Sequence, residues 1–113
     1  MTTSRIKPSQ RERKRYVLVS VDASNPPADY PDRIVEAAER KLGLLDAAKA
    51  SVFTAKTYRN TRHLILRVAN SHVEELIKAV NGIEHLDDVP VDTETCIMSG
   101  TIKQVKDWYH ARY

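Results

Sequence analysis

Short strand-like segments alternate with helical segments along this chain in an order that admits few folds. Residues 15–22, 51–58, 61–69 and 91–98 are rich in β-branched side chains and are predicted strands. One helical segment follows the first strand and another follows the third, which gives the order β-α-β-β-α-β. In split β-α-β topology this order forms an antiparallel sheet with both helices on one face. We therefore predict the α+β class: a two-layer α/β sandwich, ferredoxin-like or RRM-like, with an additional C-terminal helix.

Apolar residues three or four positions apart predict the two internal helices. The first helix carries Ile34, Val35, Ala38 and Leu42, and the second carries Val73, Leu76, Ile77 and Val80. Gly43 is placed to end the first helix, and Gly82 to end the second. Ser71 and Glu74 have the spacing of a capping box, which predicts Ser71 as the N-cap of the second helix.

Three connecting segments are predicted to be irregular: residues 44–49, a hairpin turn at residues 59–60 and a linker at residues 83–90. After the fourth strand, Ile102, Val105 and Tyr109 predict a final helix, with Trp108 beside them. We expect this helix to cover the other face of the sheet or one of its ends.

The positive charge is concentrated at the two ends of the chain. Residues 1–15 hold six basic residues and one acidic residue, and residues 99–113 hold three basic residues and one acidic residue. Because the formal net charge is +3, the residues between these ends carry a net charge of −4. Such polarity fits a polyanion on one side and a different partner on the other. We take residues 1–14 as a basic N-terminal tail and residues 15–113 as a single domain.

The remaining composition argues against several functional classes. The single cysteine, Cys96, excludes an internal disulfide, and its place in a strand predicts a small buried core residue. The chain lacks the apolar stretch of a membrane span or a signal peptide, so we expect a cytoplasmic protein without membrane contact. Three glycines and four dispersed histidines offer no phosphate-binding loop and no zinc pattern. We predict no catalytic residue, no metal ligand and no cofactor.

Two basic segments are candidates for nucleic-acid binding, and each has a plainer interpretation. The first predicts phosphate contacts, although a solubilising tail would carry the same charges: Arg11, Arg13, Lys14 and Arg15. The second is the start of the last helix, where Ser99, Gly100 and Thr101 could offer backbone N–H groups to a phosphate or form an ordinary cap. Lys103, Lys106 and His110 then follow as a stripe that also fits a solvated face.

Base stacking on an open sheet is not expected from the sequence. RNA-recognition motifs stack bases on aromatic residues of their central strands. Here the third strand has no aromatic residue, and the first strand supplies only Tyr16.

Residues 8–19 read PSQRERKRYVLV, and residues 95–103 read TCIMSGTIK. In both stretches the chain resembles the archaeal ribonuclease P protein component 2 family. Members similarly open their first strand with a basic-basic-Tyr step and begin their last helix with Ser-Gly-Thr-Ile-Lys. The middle of the chain also fits the family, at residues 42–50 and 70–75.

The resemblance implies a non-catalytic protein subunit of ribonuclease P, the RNA-based endonuclease that removes 5′ leaders from precursor tRNA. Such a subunit binds ribonuclease P RNA, pairs with protein component 3 in a heterotetramer and meets precursor tRNA only indirectly. Magnesium is then used by the RNA and is not bound by this chain. The family likeness implies RNA-facing roles for Arg13, Lys14, Arg15 and Lys103, together with Arg11 and Lys106.

Two other functions stay open on the residues alone. An acylphosphatase-like hydrolase would need a glycine-rich first loop, whereas residues 23–27 contain two prolines, which lack N–H donors. A ferredoxin-like ligand-binding or oligomerising regulatory domain explains the helices and the acidic body. It leaves both basic ends without a role.

Overall fold

The computed structural model describes residues 13–113. Expectations for residues 1–12, including Arg11 and most of the predicted tail, lie outside the described residues. The elements follow the chain as β1 (Lys14–Asp22), α1 (Tyr30–Leu42), α2 (Leu44–Ala50), β2 (Phe53–Tyr58), β3 (His63–Ala69), α3 (Val73–Asn81), β4 (His85–Leu86), β5 (Val89–Pro90), β6 (Asp92–Ser99) and α4 (Ile102–Arg112).

The main sheet has four strands in the order β2-β3-β1-β6, and every neighbouring pair is antiparallel. The strand β1 is central because it pairs with both β3 and β6. This is the order that split β-α-β topology produces, so the predicted ferredoxin-like α+β fold is confirmed. The predicted hairpin of β2 and β3 is also confirmed, but its turn covers residues 59–62 instead of 59–60 and ends with a left-handed residue, Arg62.

One face of the sheet packs against α1 and α3. Val17 and Val19 of β1 alternate onto this face, and Leu64 and Leu66 of β3 lie beside them, all fully buried. Burying side chains of this size contributes roughly 1.5–3 kcal/mol each. The first internal helix begins with Pro31 in its first turn and ends at Gly43, whose N–H donates to the carbonyl of Glu39.

The opposite face of the sheet is covered by α4. Val105 and Tyr109 of α4 form a second buried cluster with Leu18 of β1 and Ile65 of β3. The expectation that the last helix covers the other face is therefore confirmed. None of the helices within residues 13–113 is long and apolar enough to cross a membrane.

Three local predictions were wrong. Residues 44–50 form the regular helix α2 instead of an irregular turn, and the predicted linker contains the small two-stranded ribbon of β4 and β5. Ser71 is not the N-cap of α3, because a 3-10 turn, Asn70–His72, precedes that helix and His72 occupies the cap position. The hydroxyl of Ser71 is instead 2.8 Å from His72 Nδ1.

Cys96 is only half-buried, in contrast to the predicted buried core position. The register between β1 and β6 shifts between Leu18 and Val19, whose partners are Ile97 and Thr95. Cys96 is thus the extra residue of a β-bulge, where the alternation that predicted its burial does not hold.

Candidate nucleic-acid interface

The start of β1, the end of β6 and the turn after β3 meet at one end of the main sheet. Arg15 of β1 is in register with Val68 of β3, and the carbonyl of Arg13 accepts a hydrogen bond of 2.7 Å from the N–H of Asn70. On the other side of β1, Tyr16 is in register with Ser99. The antiparallel pairing therefore brings the two predicted basic segments together, although more than eighty residues separate them in the chain.

The guanidinium of Arg15 is held between two groups at this end of the sheet. Its Nε donates a hydrogen bond of 2.7 Å to Oδ1 of Asn70. On the other side it lies against Gly100, because a Cβ placed on that residue would come within 2.6 Å of Nη1 of Arg15. The glycine is thus required for the close approach of the arginine, and no left-handed backbone is involved at this position.

These groups form one side of an open surface cleft of about 550 Å³. Among the predicted RNA-binding residues, Arg15, Ser99 and Gly100 line it together. The sequence analysis did not single out Asn70 as a site residue, since its role depends on the pairing of β1 with β3. Glu74 and Glu75 in the first turn of α3 also line the cleft, so the cleft carries both charges.

Thr101 caps α4, as the sequence predicts. Its side-chain oxygen accepts a hydrogen bond of 3.3 Å from the N–H of Gln104. The hydroxyl of Ser99 donates to the side-chain oxygen of Gln104 and lies 3.4 Å from the N–H of Thr101. The helix start is therefore largely satisfied by its own side chains, which fits the cap interpretation.

The other predicted cations are spread around this end of the sheet. Arg13 is exposed and Lys14 is half-buried at the start of β1. Lys103 is strongly exposed, and its Nζ donates a hydrogen bond of 2.8 Å to Asp107, which raises the pKa of Lys103. Lys106 is half-buried, and Arg11 lies outside the described residues.

The described residues hold neither a cluster of metal ligands nor an activated thiol. Within residues 13–113, no three His, Cys, Asp or Glu side chains are placed to hold a metal ion. Burial raises the pKa of Cys96, which keeps its thiol protonated and a poor nucleophile.

Fold and site together define the class of protein: a small α+β binding protein, with a ferredoxin-like sheet closed by a helix and a guanidinium set in a cleft. The chain matches the Rpp14/Pop5 family over residues 15–110 and belongs to that family. The matched region includes β1, the cleft and almost all of α4.

Individual relatives agree with this membership. The chain is 31% identical over 108 residues to ribonuclease P protein component 2 of Thermococcus kodakarensis, covering 94% of this chain and 90% of that protein. It is 29% identical over 101 residues to the protein of the same name from Pyrococcus furiosus, covering 88% and 84%. A chain in the cryo-EM structure of yeast ribonuclease MRP superposes with a TM-score of 0.60 at 10% identity, covering 89% of this chain and 94% of that one, and shows the shared fold.

Proposed function

We propose that this protein binds ribonuclease P RNA through the cleft around Arg15, supports the fold of that RNA and donates no catalytic group. The family and the named relatives make the chain a non-catalytic protein subunit of ribonuclease P. This membership removes the support for a hydrolase or a ligand-binding regulatory domain. The RNA then carries out the cleavage of precursor tRNA, and the protein meets that substrate indirectly.

The observation that carries the RNA-binding proposal is the fixed position of Arg15. Within residues 13–113 its guanidinium forms no ion pair with a carboxylate, and the side-chain amide of Asn70 occupies only its Nε. A guanidinium has further N–H groups that bind phosphate oxygens in pairs. Because Asn70 and Gly100 already orient the side chain, little rotamer entropy is lost when a phosphate binds.

The mechanism follows from charge neutralisation. The RNA fold brings phosphates close together, and cations from the protein reduce their repulsion. Arg13, Lys14, Arg15, Lys103 and Lys106 would lower the magnesium concentration at which the RNA adopts its active fold. The magnesium that serves catalysis belongs to the RNA in this proposal, and the chain itself needs no cofactor.

We further propose protein component 3 as the protein partner, in a heterotetramer, and the cytoplasm as the location. One exposed apolar feature supports a protein contact away from the cleft. Leu44 and Leu45 of α2 are 87% and 74% exposed, and Leu44 borders a groove with Glu36 and Glu39 of α1. Exposed leucines next to each other are typical of protein contact sites.

The test is cleavage of a precursor tRNA at limiting magnesium, with an archaeal ribonuclease P RNA, protein component 3 and this chain. We compare the wild type with Arg15→Ala and with Arg59→Ala as the matched control. Both variants lose one arginine, but Arg59 is exposed in the turn between β2 and β3, at the opposite end of the main sheet. This turn is about 17 Å along β3 from Val68, the register partner of Arg15. Arg15→Ala should weaken RNA binding about tenfold or more and raise the magnesium requirement.

The outcomes distinguish RNA binding at the cleft from a general effect of net charge. Rescue by the wild type and by Arg59→Ala, but not by Arg15→Ala, supports the proposal. Equal losses in both variants would show that net charge matters and that the cleft does not. Cleavage by the chain alone would reveal a catalytic site in the protein, and no effect in any mixture would reject an RNA-supporting role.

A further inference from the structure

A row of side chains crosses the main sheet on the face that carries α4. Phe53 of β2 is in register with Arg67 of β3, Arg67 is in register with Tyr16 of β1, and Tyr16 is in register with Ser99 of β6. Residues paired in this way share one face of a sheet. The row therefore contains an aromatic ring, a guanidinium and a second aromatic ring on adjacent strands, and we call Phe53, Arg67 and Tyr16 the cross-strand row.

The cross-strand row lies just beyond the area that α4 covers. The next register pair along β1 and β3 is Leu18 with Ile65, and both are fully buried under α4. Tyr16 packs against the edge of that buried cluster, whereas Phe53 is 46% exposed. The helix thus closes the middle of this face and leaves the aromatic end open.

The planar guanidinium of Arg67 lies next to the ring of Phe53. Its guanidinium carbon is 5.2 Å from the centre of the Phe53 ring, a cation–π distance. Its Nε is buried and has no hydrogen-bond partner among the described residues.

The charge along this face is strongly polarised. Lys14 is in register with Ala69, one alternation beyond Tyr16 and Arg67, so it extends the cationic end. The carboxylates on this face lie at the opposite end of the two strands. There Asp22 of β1 is in register with Asp92 of β6, and Glu94 follows two residues later in β6. Six residues of strand, about 20 Å, separate Tyr16 from Asp22. Asp32 and Glu36 of α1 border Phe53 only along the groove at the edge of β2.

We propose that the cross-strand row stacks one or two unpaired bases of single-stranded RNA, with Lys14 contacting the adjoining phosphates. This inference rests on the proposed role in ribonuclease P and adds a second RNA contact to the Arg15 cleft. Aromatic rings and guanidinium planes are the side chains on which unpaired bases stack, and a nearby cation holds the backbone. A basic, partly aromatic surface fits a polyanion better than an apolar protein segment.

This site is not visible in the sequence because no single strand carries the aromatic pair. Phe53 and Tyr16 lie on β2 and β1, with β3 between them, and only the register places them in one row. The sequence predicts no base stacking on the sheet because β3 has no aromatic residue. In the structure Arg67 occupies that position.

The experiment measures binding of the full-length protein to two labelled RNAs: a single strand of about eight nucleotides and a blunt duplex of similar charge. The variants are Phe53→Leu and Phe53→Trp, with Tyr113→Leu as a control that removes an exposed aromatic ring after α4. Phe53→Leu should bind the single strand at least about fivefold more weakly and the duplex within about twofold of the wild type, since stacking serves unpaired bases. Phe53→Trp and Tyr113→Leu should retain single-strand binding.

A second measurement guards against a variant that misfolds. Photocrosslinking of the wild type to a single strand containing 4-thiouridine should label the peptide with Phe53 or Tyr16. Unchanged binding by Phe53→Leu, or equal losses on both RNAs, would overturn the stacking site. If Phe53→Leu instead weakens binding of component 3, the row is a protein contact and the inference is wrong. If the stacking test fails but the protein still supports cleavage of precursor tRNA, the cross-strand row is not a stacking site and the proposed function is unaffected.

Discussion

Arg15 differs from the other cations near it in how its side chain is held. Lys103 is exposed and paired with Asp107, whereas Arg15 is fixed by Asn70 and by the absence of a side chain at Gly100. A long cation that is already ordered binds a phosphate with a smaller entropy loss than a free one. At the residue scale, the site therefore depends on a glycine as much as on the charge.

The variant Gly100→Ala should show how much RNA binding depends on the position of the Arg15 guanidinium, because it leaves the charge of Arg15 unchanged. The new Cβ would lie 2.6 Å from Nη1, so the guanidinium must move away from the cleft, while the flexible side chain allows the fold to persist. We expect RNA binding to weaken about tenfold, equivalent to about 1.4 kcal/mol, with a stability change within about 0.5 kcal/mol. Fluorescence anisotropy and urea denaturation measure the two quantities. Gly82→Ala, whose Cβ meets neighbours only at 3.4 Å or more, is the control and should bind RNA normally.

His63 predicts a pH dependence of stability. The residue is 4% exposed, its Nδ1 is 2.9 Å from the hydroxyl of Thr61, and its Nε2 is buried without a partner among the described residues. Burial lowers the pKa of His63 below its ordinary value of 6.5. The unfolded chain then binds more protons than the folded one, so stability falls as the pH drops below about 6.5 towards the folded pKa.

The measurement is urea denaturation of the wild type and His63→Gln between pH 7.5 and pH 5.5. The wild type should lose more stability than the variant over this interval, whatever their absolute stabilities, because both keep the same carboxylates and other histidines. Equal losses would mean that His63 takes up its proton without cost in the folded protein.

At the scale of elements, α4 joins the core to the candidate interface. Its buried residues Val105 and Tyr109 cover Leu18 and Ile65, while its first turn begins at the Ser99 end of β6 beside the Arg15 cleft. Tyr109 also stacks on Tyr58 with ring centres 3.8 Å apart and hydrogen-bonds to Thr61 at 2.5 Å. The C-terminal part of the helix is thus anchored on the hairpin of β2 and β3, and the cap at Thr101 fixes its other end.

Thr101→Ala should destabilise the protein by about 1 kcal/mol, since the N–H of Gln104 loses its side-chain acceptor. Thr101→Ser keeps an oxygen at the same place and should recover most of the loss. Thermal unfolding followed by circular dichroism compares the three proteins. If the alanine variant matched the wild type, the neighbouring Ser99 and Gln104 side chains would be sufficient to cap α4.

Elements with a regular apolar face were predicted well, and those without one were not. The second helix of the fold, α2, was missed because Leu44 and Leu45 are exposed, so no face of that helix shows a core-facing period. Ser71 was assigned as a cap from local spacing alone. In the structure the N–H of Asn70 pairs with the carbonyl of Arg13, which extends the sheet and delays the start of α3.

In the candidate site too, the residues with a local sequence signal were predicted and the others were not. Arg15 and Gly100 were predicted because their charge and helix-start pattern are local features of the sequence. The roles of Asn70 and Phe53 depend on strand register. Asn70 is about 55 residues from Arg15 in the sequence, and Phe53 is about 37 residues from Tyr16. A single sequence carries no direct signal for such pairings.

At the scale of the whole molecule, the chain is polarised in charge. The ends of the sequence carry +5 and +2 and the part between them −4, and the start of β1 and of α4 lie at the same end of the main sheet. Among the described residues, Arg13, Lys14, Arg15 and Lys103 lie near this end and attract RNA from a distance. The acidic remainder limits how the RNA can be oriented. The modest net charge of +3 does not prevent RNA binding, because the local arrangement of the cations determines the attraction.

This polarity predicts the salt dependence of RNA binding. If four to six phosphates are neutralised, the plot of log affinity against log salt concentration should have a slope of roughly −3 to −5. Titrations of the full-length protein with ribonuclease P RNA at several salt concentrations provide the slope. Arg15→Ala should make it less steep by about 0.7 to 0.9, because one phosphate contact is lost. Arg59→Ala, which removes an equal charge away from the cleft, should leave it unchanged. A slope near zero for the wild type would contradict the phosphate mechanism, and an equal change in both variants would contradict the assignment of the contact to the cleft.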